Sequence, residues 1–295
     1  MYGVDNVIAS DIKRPPKAML DNGPFVYSDV LDSTQITRLV VEENITCIIH
    51  LAAILSATGE MNPHLALRIN NEGTQNVLEI ARLNQIKIFV PSTIAAFGPS
   101  SPKDSAPEEC ILRPTTMYGV TKVFAELLGE YYNAKFGLDF RSLRYPGVVS
   151  AKCLPGGGTT DYAVDIFYAA LKHKEYQCFL SEDTALPMIY MPDLLKATVA
   201  LINAENSSLQ RRVYNLGALS FTPKQIAASI RRHVPDFKIT YKPDFRQKIA
   251  DSWPRSVDDS NAAKDWEWKP DYDLDAMVDD VMAILKERLA KENKL

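Results

Sequence analysis

The stretch TCIIHLAA, residues 46–53, decides how this chain is read. Cys47, Ile48 and Ile49 follow one another with no polar face, the pattern of a strand covered on both sides. Such strands belong to parallel sheets, whose crossovers are helices, so both flanks should be helical. Upstream, LDSTQITRLVVEEN (31–44) carries Ile36, Leu39 and Val40 at helical spacing, behind a start signal of Asp32 with Gln35. Downstream, LALRINNEGTQNVLEIARLN (65–84) reads as a helix, and KIFVPST (87–93) as another buried strand. The alternation continues through the helix TTMYGVTKVFAELLGEYYNAKF (115–136) into the strand DFRSLRYPGVVS (139–150). NVIAS (6–10) and FVYSDV (25–30) are further strands on the N-terminal side. Strand–helix alternation of this kind predicts an α/β fold with a doubly wound parallel sheet.

NVIAS runs into Asp11. In dinucleotide-binding folds an acid at the end of the second strand grips the adenosine ribose. The expected organisation is a dinucleotide-binding domain over residues 1–150 and a smaller substrate-binding region over 151–295, some of whose segments return to the sheet. The pattern turns irregular after Ser150, beginning with CLPGGGTTDY (153–162). Two helices stand out there. FTPKQIAASIRRHV (221–234) has Thr222 as cap and Pro223 in its first turn, and DAMVDDVMAILKERLAKEN (275–293) is a closing amphipathic helix.

The composition removes several function classes. Hydrophobic residues at 46% and charged residues at 24% of 295 are ordinary for a globular protein. A net charge of −4 gives no pull toward nucleic acid or an anionic membrane. No apolar run approaches the ~20 residues of a membrane span. Cys47, Cys110, Cys153 and Cys178, like His50, His64, His173 and His233, are scattered without ligand spacing, so no metal is expected and a reducing compartment is. The first residues carry neither a secretory signal nor transit-peptide composition, so targeting information would lie upstream of Met1.

Chemistry concentrates at MYGVTKVFAE (117–126). Tyr118 and Lys122, four apart, share a helix face. A phenol with a pKa near ~10 is a poor base at neutral pH, and lowering it by ~3 units takes about 4 kcal/mol. An ammonium at ~4 Å supplies about that much at an effective dielectric near 20. The pair therefore makes a base for an alcohol proton. The same spacing recurs at Tyr131/Lys135 and Tyr168/Lys172, where a helix-surface pair is the plain reading. Only Tyr118 opens a helix behind a strand ending in hydroxyl residues, VPSTIAAFG (90–98), which sets Thr93 beside the phenol.

IIHLAA, NNEGTQNVLEIAR, VPSTIAAFG, YGVTK and RYPGVV, in this order, resemble the extended short-chain dehydrogenase/reductase family over nearly the whole chain. The resemblance implies a Rossmann-type sheet and NAD as cofactor. It makes Tyr118 the general base, Lys122 its activator and Thr93 the hydroxyl partner. Asp11, Ile12 and Lys13 would lie at the ribose, Asp29 and Val30 at the adenine. Leu51, Ala52, Ala53 and Asn70 would line or support the cofactor site, and Pro146 and Val148 would flank the nicotinamide, with Tyr118 and Lys122 also touching the cofactor. Asp11 favours NAD over NADP, since a carboxylate repels a 2′-phosphate.

Within the family, LPGGGTTDYAVDIF (154–167) and DSWPRSVDDSNAAKDWEW (251–268) resemble the branch that oxidises the side-chain hydroxyl of L-threonine to 2-amino-3-ketobutyrate. That likeness places Ser56, Thr93, Tyr118, Thr159, Thr160 and Trp253 around the amino acid. It further implies a homodimer, with no nucleic acid or membrane partner, and residence in mitochondria. The alternatives are a nucleotide-sugar epimerase, which shares the scaffold and the Tyr–Lys pair, and a non-catalytic form acting through dimerisation.

The family opens with a strand and a G-x-x-G-x-x-G turn, and nothing here matches it; Gly156, Gly157 and Gly158 lie in the substrate region. The opening residues read as the middle of a βαβ unit with the first strand missing. In the order 3-2-1-4-5-6 that strand is central, so two edges should face each other unpaired. The expectation is a truncated or alternative form of an active relative, impaired by loss of the phosphate cradle.

Overall fold

The computed structural model describes residues 2–152, 156 and 158–292. In chain order the strands are β1 (Ala9–Asp11), β2 (Phe25–Tyr27), β3 (Cys47–Ile49), β4 (Lys87–Phe89), β5 (Ser92–Thr93), β6 (Phe140–Tyr145), β7 (Gly147–Val149), β8 (Glu175–Cys178), β9 (Leu186–Tyr190), β10 (Val213–Asn215), β11 (Leu219–Phe221) and β12 (Lys238–Tyr241). The helices through the first half are α1 (Lys17–Leu20), α2 (Ser33–Glu42), α3 (Ser56–Met61), α4 (Pro63–Leu67), α5 (Gly73–Leu83) and α6 (Met117–Phe136). The rest are α7 (Tyr162–Lys172), α8 (Met191–Asn203), α9 (Pro223–Ile230), α10 (Phe245–Ser252), α11 (Ser260–Trp266) and α12 (Leu274–Lys291).

The main sheet runs β10-β6-β4-β3, all parallel, with β5 pairing β6 beside β4. Its faces explain the apolar runs. On β4 and β6, Ile88 and Phe140 pack with Ile36 and Val40 of α2 and Val77 and Leu78 of α5. Phe89 and Leu143 face the other way, among Leu194, Ala197 and Leu201 of α8. Each fully buried side chain of this size is worth about 1.5–3 kcal/mol. Helices on both faces make the sheet doubly wound, as the alternation predicts.

Prolines divide two strands that the sequence reads as single. Pro91 separates β4 from β5, and Pro146 separates β6 from β7, because a residue without an N–H cannot continue the ladder. Beyond Ser150 the irregular reading gives way to regular elements. The three-stranded sheet β11-β9-β7 and the pair β12-β8 form there, and α7, α9 and α12 pack around a core of Phe167, Met188, Phe221 and Val281. Strands of three to five residues are too short for periodicity to register.

The N-terminal strands stand apart. β1 pairs β2 in parallel, Ala9 opposite Phe25, but neither joins the main sheet. Among the described residues no strand lies on the outer side of β3, and Ile49 and Leu51 are exposed there. The two edges have not closed on each other.

Caps fix the helices that carry the site. The Asp32 carboxylate accepts from the Gln35 N–H at 3.0 Å, as its start signal predicts. Thr222 and Gln225 make a reciprocal capping box at the start of α9. Thr116 accepts from the Gly119 N–H at 3.1 Å, and Gly137, at φ 72°, ends α6 in the left-handed conformation.

Candidate active site

Four parallel strands of the first half deliver a singled-out residue at or just past their C-terminal ends. Asp11 closes β1, Leu51 lies two residues past β3, Thr93 closes β5, and Pro146 follows β6. In open α/β sheets this is the edge on which ligands bind.

Tyr118 and Lys122 arrive on α6, whose first turn packs against the turn Ile94–Ala96. Thr93 accepts from the Ala95 N–H at 3.2 Å and shares a hydrogen bond with the Tyr118 hydroxyl. The Lys122 ammonium lies 5.6 Å from the centroid of the Tyr118 ring and donates to the Pro91 carbonyl at 2.6 Å. The three residues thus form one cluster. The other two Tyr-x-x-x-Lys pairs lie elsewhere: Tyr131 is exposed, and Tyr168 hydrogen-bonds Arg288 of α12.

The electrostatics of the cluster differ from what the Tyr–Lys spacing predicts. Burial pushes the Tyr118 phenol up to about 12, against the opposing hydrogen bond from Thr93. Burial also draws Lys122 down to about 8, with Glu126 holding it up. Loss of solvent thus governs the phenol here and outweighs the hydrogen bond from Thr93. His50 sits behind them, its imidazole held down to about 3 by burial and then by the Lys122 charge.

The residues assigned to the cofactor fall into two groups. Asp11, Ile12 and Lys13 are exposed at the end of β1, with the Asp11 carboxylate accepting from the Lys13 N–H at 2.9 Å. Asp29 makes a similar turn with the Leu31 N–H at 2.9 Å. Val30 is held against α5, its carbonyl accepting from Asn76 at 2.9 Å. Across the opening, Leu51 and Ala52 are exposed, Ala53 is half-buried, Pro146 is buried and Val148 half-buried. Asn70 does not face the opening. It sits in a π-helical turn, Arg68–Glu72, and its amide clamps Ile54 by both the N–H, at 2.7 Å, and the carbonyl, at 3.1 Å, while donating to Thr121 of α6 at 3.0 Å. It fixes the 51–55 loop to the helix that bears Tyr118.

The substrate candidates gather from three directions. Ser56 is buried in the first turn of α3, and Glu60 of that helix accepts from the Met117 N–H at 2.7 Å. Thr160 packs against Gly147 of β7, where a Cβ would lie 2.7 Å from its methyl group. Thr159 is 1% exposed, and its hydroxyl has no hydrogen-bond partner among the described residues. Trp253 is a core residue in the same apolar cluster that Tyr118 packs against, and it borders an outer groove of about 470 Å³ with Lys103, Thr184 and Gln247.

Four residues behind the cluster were not singled out from the sequence. Arg144 makes a bidentate pair with Glu126, at 2.9 and 2.8 Å, and donates to the Glu108 carbonyl at 2.9 Å. Ser92 donates its hydroxyl to the same Glu126 carboxylate. The Glu108 carboxylate goes on to accept from Asn261 at 2.9 Å. The available signal was Glu126, one helical turn past Lys122, and Arg144 opening RYPGVV. Among the described residues, no group of three or more His, Cys, Asp or Glu is arranged to hold a metal, and no helix is long and apolar enough to cross a membrane.

The NAD dependent epimerase/dehydratase family matches residues 3–217. The mitochondrial L-threonine 3-dehydrogenase of Bos taurus is 52% identical over 278 residues, covering 94% of this chain and 74% of the bovine one. The crystal structure of L-threonine dehydrogenase from Phytophthora infestans superposes with a TM-score of 0.92 at 59% identity, over 95% of this chain and 90% of that one. The holo form of L-threonine dehydrogenase from Cupriavidus necator gives 0.93 at 47%, over 96% and 92%. The chain belongs to the NAD dependent epimerase/dehydratase family, of the extended short-chain dehydrogenase/reductase type, and is an NAD-dependent oxidoreductase.

Proposed function

We propose that this family member oxidises the side-chain hydroxyl of L-threonine to 2-amino-3-ketobutyrate and passes the hydride to NAD. The observation that carries the reading is the Tyr118–Thr93 hydrogen bond with the Lys122 ammonium beneath it, at the C-terminal edge of a parallel sheet.

The donor set fits the cofactor in parts. Asp11 offers an exposed carboxylate to ribose hydroxyls, flanked by Ile12 and Lys13, and Asp29 with Val30 offers one to the adenine amine. Leu51, Ala52, Ala53, Pro146 and Val148 supply the apolar walls a nicotinamide ring needs. Asn70 holds the Leu51 loop in place. None of these is a cradle for the pyrophosphate. Bound NAD would supply the hydride acceptor and a positively charged nicotinamide ring.

The chain's own residues do the rest. Thr93 and Tyr118 receive the substrate hydroxyl between them, and Tyr118, in its phenolate form, takes the hydroxyl proton and becomes the neutral phenol as the hydride leaves the substrate carbon. Lys122 stabilises the phenolate, which burial alone disfavours. A buried hydroxyl without a partner costs about 1–3 kcal/mol. Thr159 bears that cost, and we assign its hydroxyl, with those of Ser56 and Thr160, to the amino-acid end of the substrate. Trp253 closes the site from the C-terminal region.

The test is NADH formation by the purified chain with L-threonine, set against L-serine and a nucleotide sugar. Turnover with L-threonine alone is expected. A chain whose unfolding temperature rises with NAD but which oxidises only the sugar would overturn the substrate reading. NAD at ~100 times its dissociation constant adds about 2.7 kcal/mol to the folded state, which makes binding visible apart from turnover.

The reading extends to a homodimer. Val120, Leu127 and Tyr131 form one exposed apolar stripe along α6, the kind of surface a second copy covers. Sedimentation at micromolar concentration should give the dimer mass in the native chain and the monomer in Leu127→Glu; a native monomer removes this part. Mitochondrial residence, as in the name of the bovine relative, is supported by that likeness and is tested by cell fractionation.

A further inference from the structure

The three segments that meet at the reactive cluster share one buried anchor. Glu126 is 3% exposed, one turn beyond Lys122 on α6. Its carboxylate accepts from Ser92, the neighbour of Thr93, and from both arms of Arg144, two residues before Pro146. Ser92 and Arg144 are themselves paired across β5 and β6. One carboxylate therefore joins the strand that carries Thr93, the helix that carries Tyr118 and Lys122, and the strand that leads to the nicotinamide wall. Three donors converging on it is the hydrogen-bonding pattern of an ionised acid.

We propose that Glu126, oriented by Arg144, is a positioning residue for the oxidation: it holds Ser92–Thr93 against α6 and keeps the Lys122 ammonium charged beneath Tyr118. This rests on the reading of Tyr118 as the base. The charge balance around Lys122 is what makes the anchor matter. On its own helix it has Tyr118 and Glu126. From the end of β3 it meets His50, neutral and unable to compete; from between β4 and β5 it meets the Pro91 carbonyl. Arg144 on β6, Cys110 on the loop before α6 and Glu130 further along α6 interact with Glu126, and Glu108 on that loop faces Arg144. Among the described residues, Glu126 is thus the negative group acting on an ammonium that burial already draws down to about 8. An opposite charge nearby moves such a group by about 1–3 units, enough to decide whether Lys122 is charged at neutral pH.

The experiment compares pH profiles of kcat for threonine oxidation in the wild type, Glu126→Gln and Glu126→Asp. The alkaline limb, where Lys122 loses its proton, is expected to fall by about one unit in Glu126→Gln, with kcat at pH 7.5 down about threefold, KM for threonine little changed, and most of the loss restored in Glu126→Asp. A uniform drop in kcat with the limb unmoved means a structural role only and overturns the proposal.

Glu126→Gln leaves Arg144 buried without a counter-charge and could fail to fold. The double variant Glu126→Leu with Arg144→Met removes both charges, an exchange that buried pairs often tolerate. It should show the same displaced limb. Independently of turnover, the side-chain NMR titration of Lys122 in 13C-lysine protein, assigned by the signal missing in Lys122→Met, should shift down by about one unit in either variant. An unmoved Lys122 midpoint sinks the inference even if the wild type is active. A moved midpoint in a chain without threonine turnover sinks the reading of function and leaves the anchor standing.

Discussion

Gly119 lies flat against the carbonyl of Ala95, and a methyl group on its α-carbon would collide with that oxygen and with the Pro114 ring. This contact lets the first turn of α6 close on the Thr93–Ala96 turn, and so brings the Tyr118 hydroxyl within reach of Thr93. Gly119→Ala is expected to push the helix away, costing about 1–3 kcal/mol of stability and at least tenfold in kcat. Both are read from unfolding and turnover of one preparation. Wild-type activity in a stable Ala variant would mean that the close approach is not what sets the pair.

Tyr118→Phe removes the proton acceptor and keeps the ring. Loss of a positioned acid–base group costs about 10²–10⁴-fold, so kcat should fall within that range while NAD still raises the unfolding temperature. Thr93→Ala should lose activity as well, and Thr93→Ser should recover most of it, because the hydroxyl and not the methyl is shared with Tyr118. If the serine variant is as poor as the alanine one, Thr93 acts through packing.

Asp11 stands exposed at the end of β1 with Lys13 behind it. Replacing it with Ser should raise KM for NAD about tenfold and improve use of NADP, since the carboxylate both accepts from a ribose hydroxyl and repels a 2′-phosphate. The ratio of kcat/KM for the two cofactors is the measurement. An unchanged ratio removes Asp11 from the ribose site.

His50 predicts a pH dependence of stability. Its folded pKa of about 3 lies below the ordinary 6.5, so the unfolded chain binds the proton more readily. The stability held by the neutral imidazole is complete above pH 6.5 and is lost as pH falls toward 3, by an amount on the order of 5 kcal/mol. Thermal unfolding from pH 7.5 to 4 should show the loss, and His50→Gln should flatten it. The same slope in both proteins would place the acid sensitivity elsewhere.

How much of this was legible before folding can be argued from particular residues. Ile88, Phe89, Phe140 and Leu143 announce a strand covered on both faces, because adjacent apolar residues on a strand point to opposite sides and each side must be dry. Asp32, Thr116 and Thr222 announce helix starts, because a cap is a bond between near neighbours in sequence. Pro91 and Pro146 were in plain view as strand breakers and were read through, at the cost of two divided strands. Asn70 reads as a residue of the cofactor region, yet its amide is spent on Ile54 and Thr121, sixteen and fifty-one positions away.

The sequence by itself determined the doubly wound sheet, the helix that opens at Tyr118, and the order in which Leu51, Thr93 and Pro146 follow the strands of the main sheet. All of these follow from periodicity, caps and turn residues, which act over a few positions of chain. Only the tertiary structure decided that β1–β2 stands apart from β3, that the Tyr118 phenol lies high rather than low, and that Glu126 is gripped by Arg144 and Ser92. Those depend on which groups lose their water and which distant strands come to lie side by side. Desolvation and long-range pairing are properties of the packed interior, and no spacing along the chain encodes their sign.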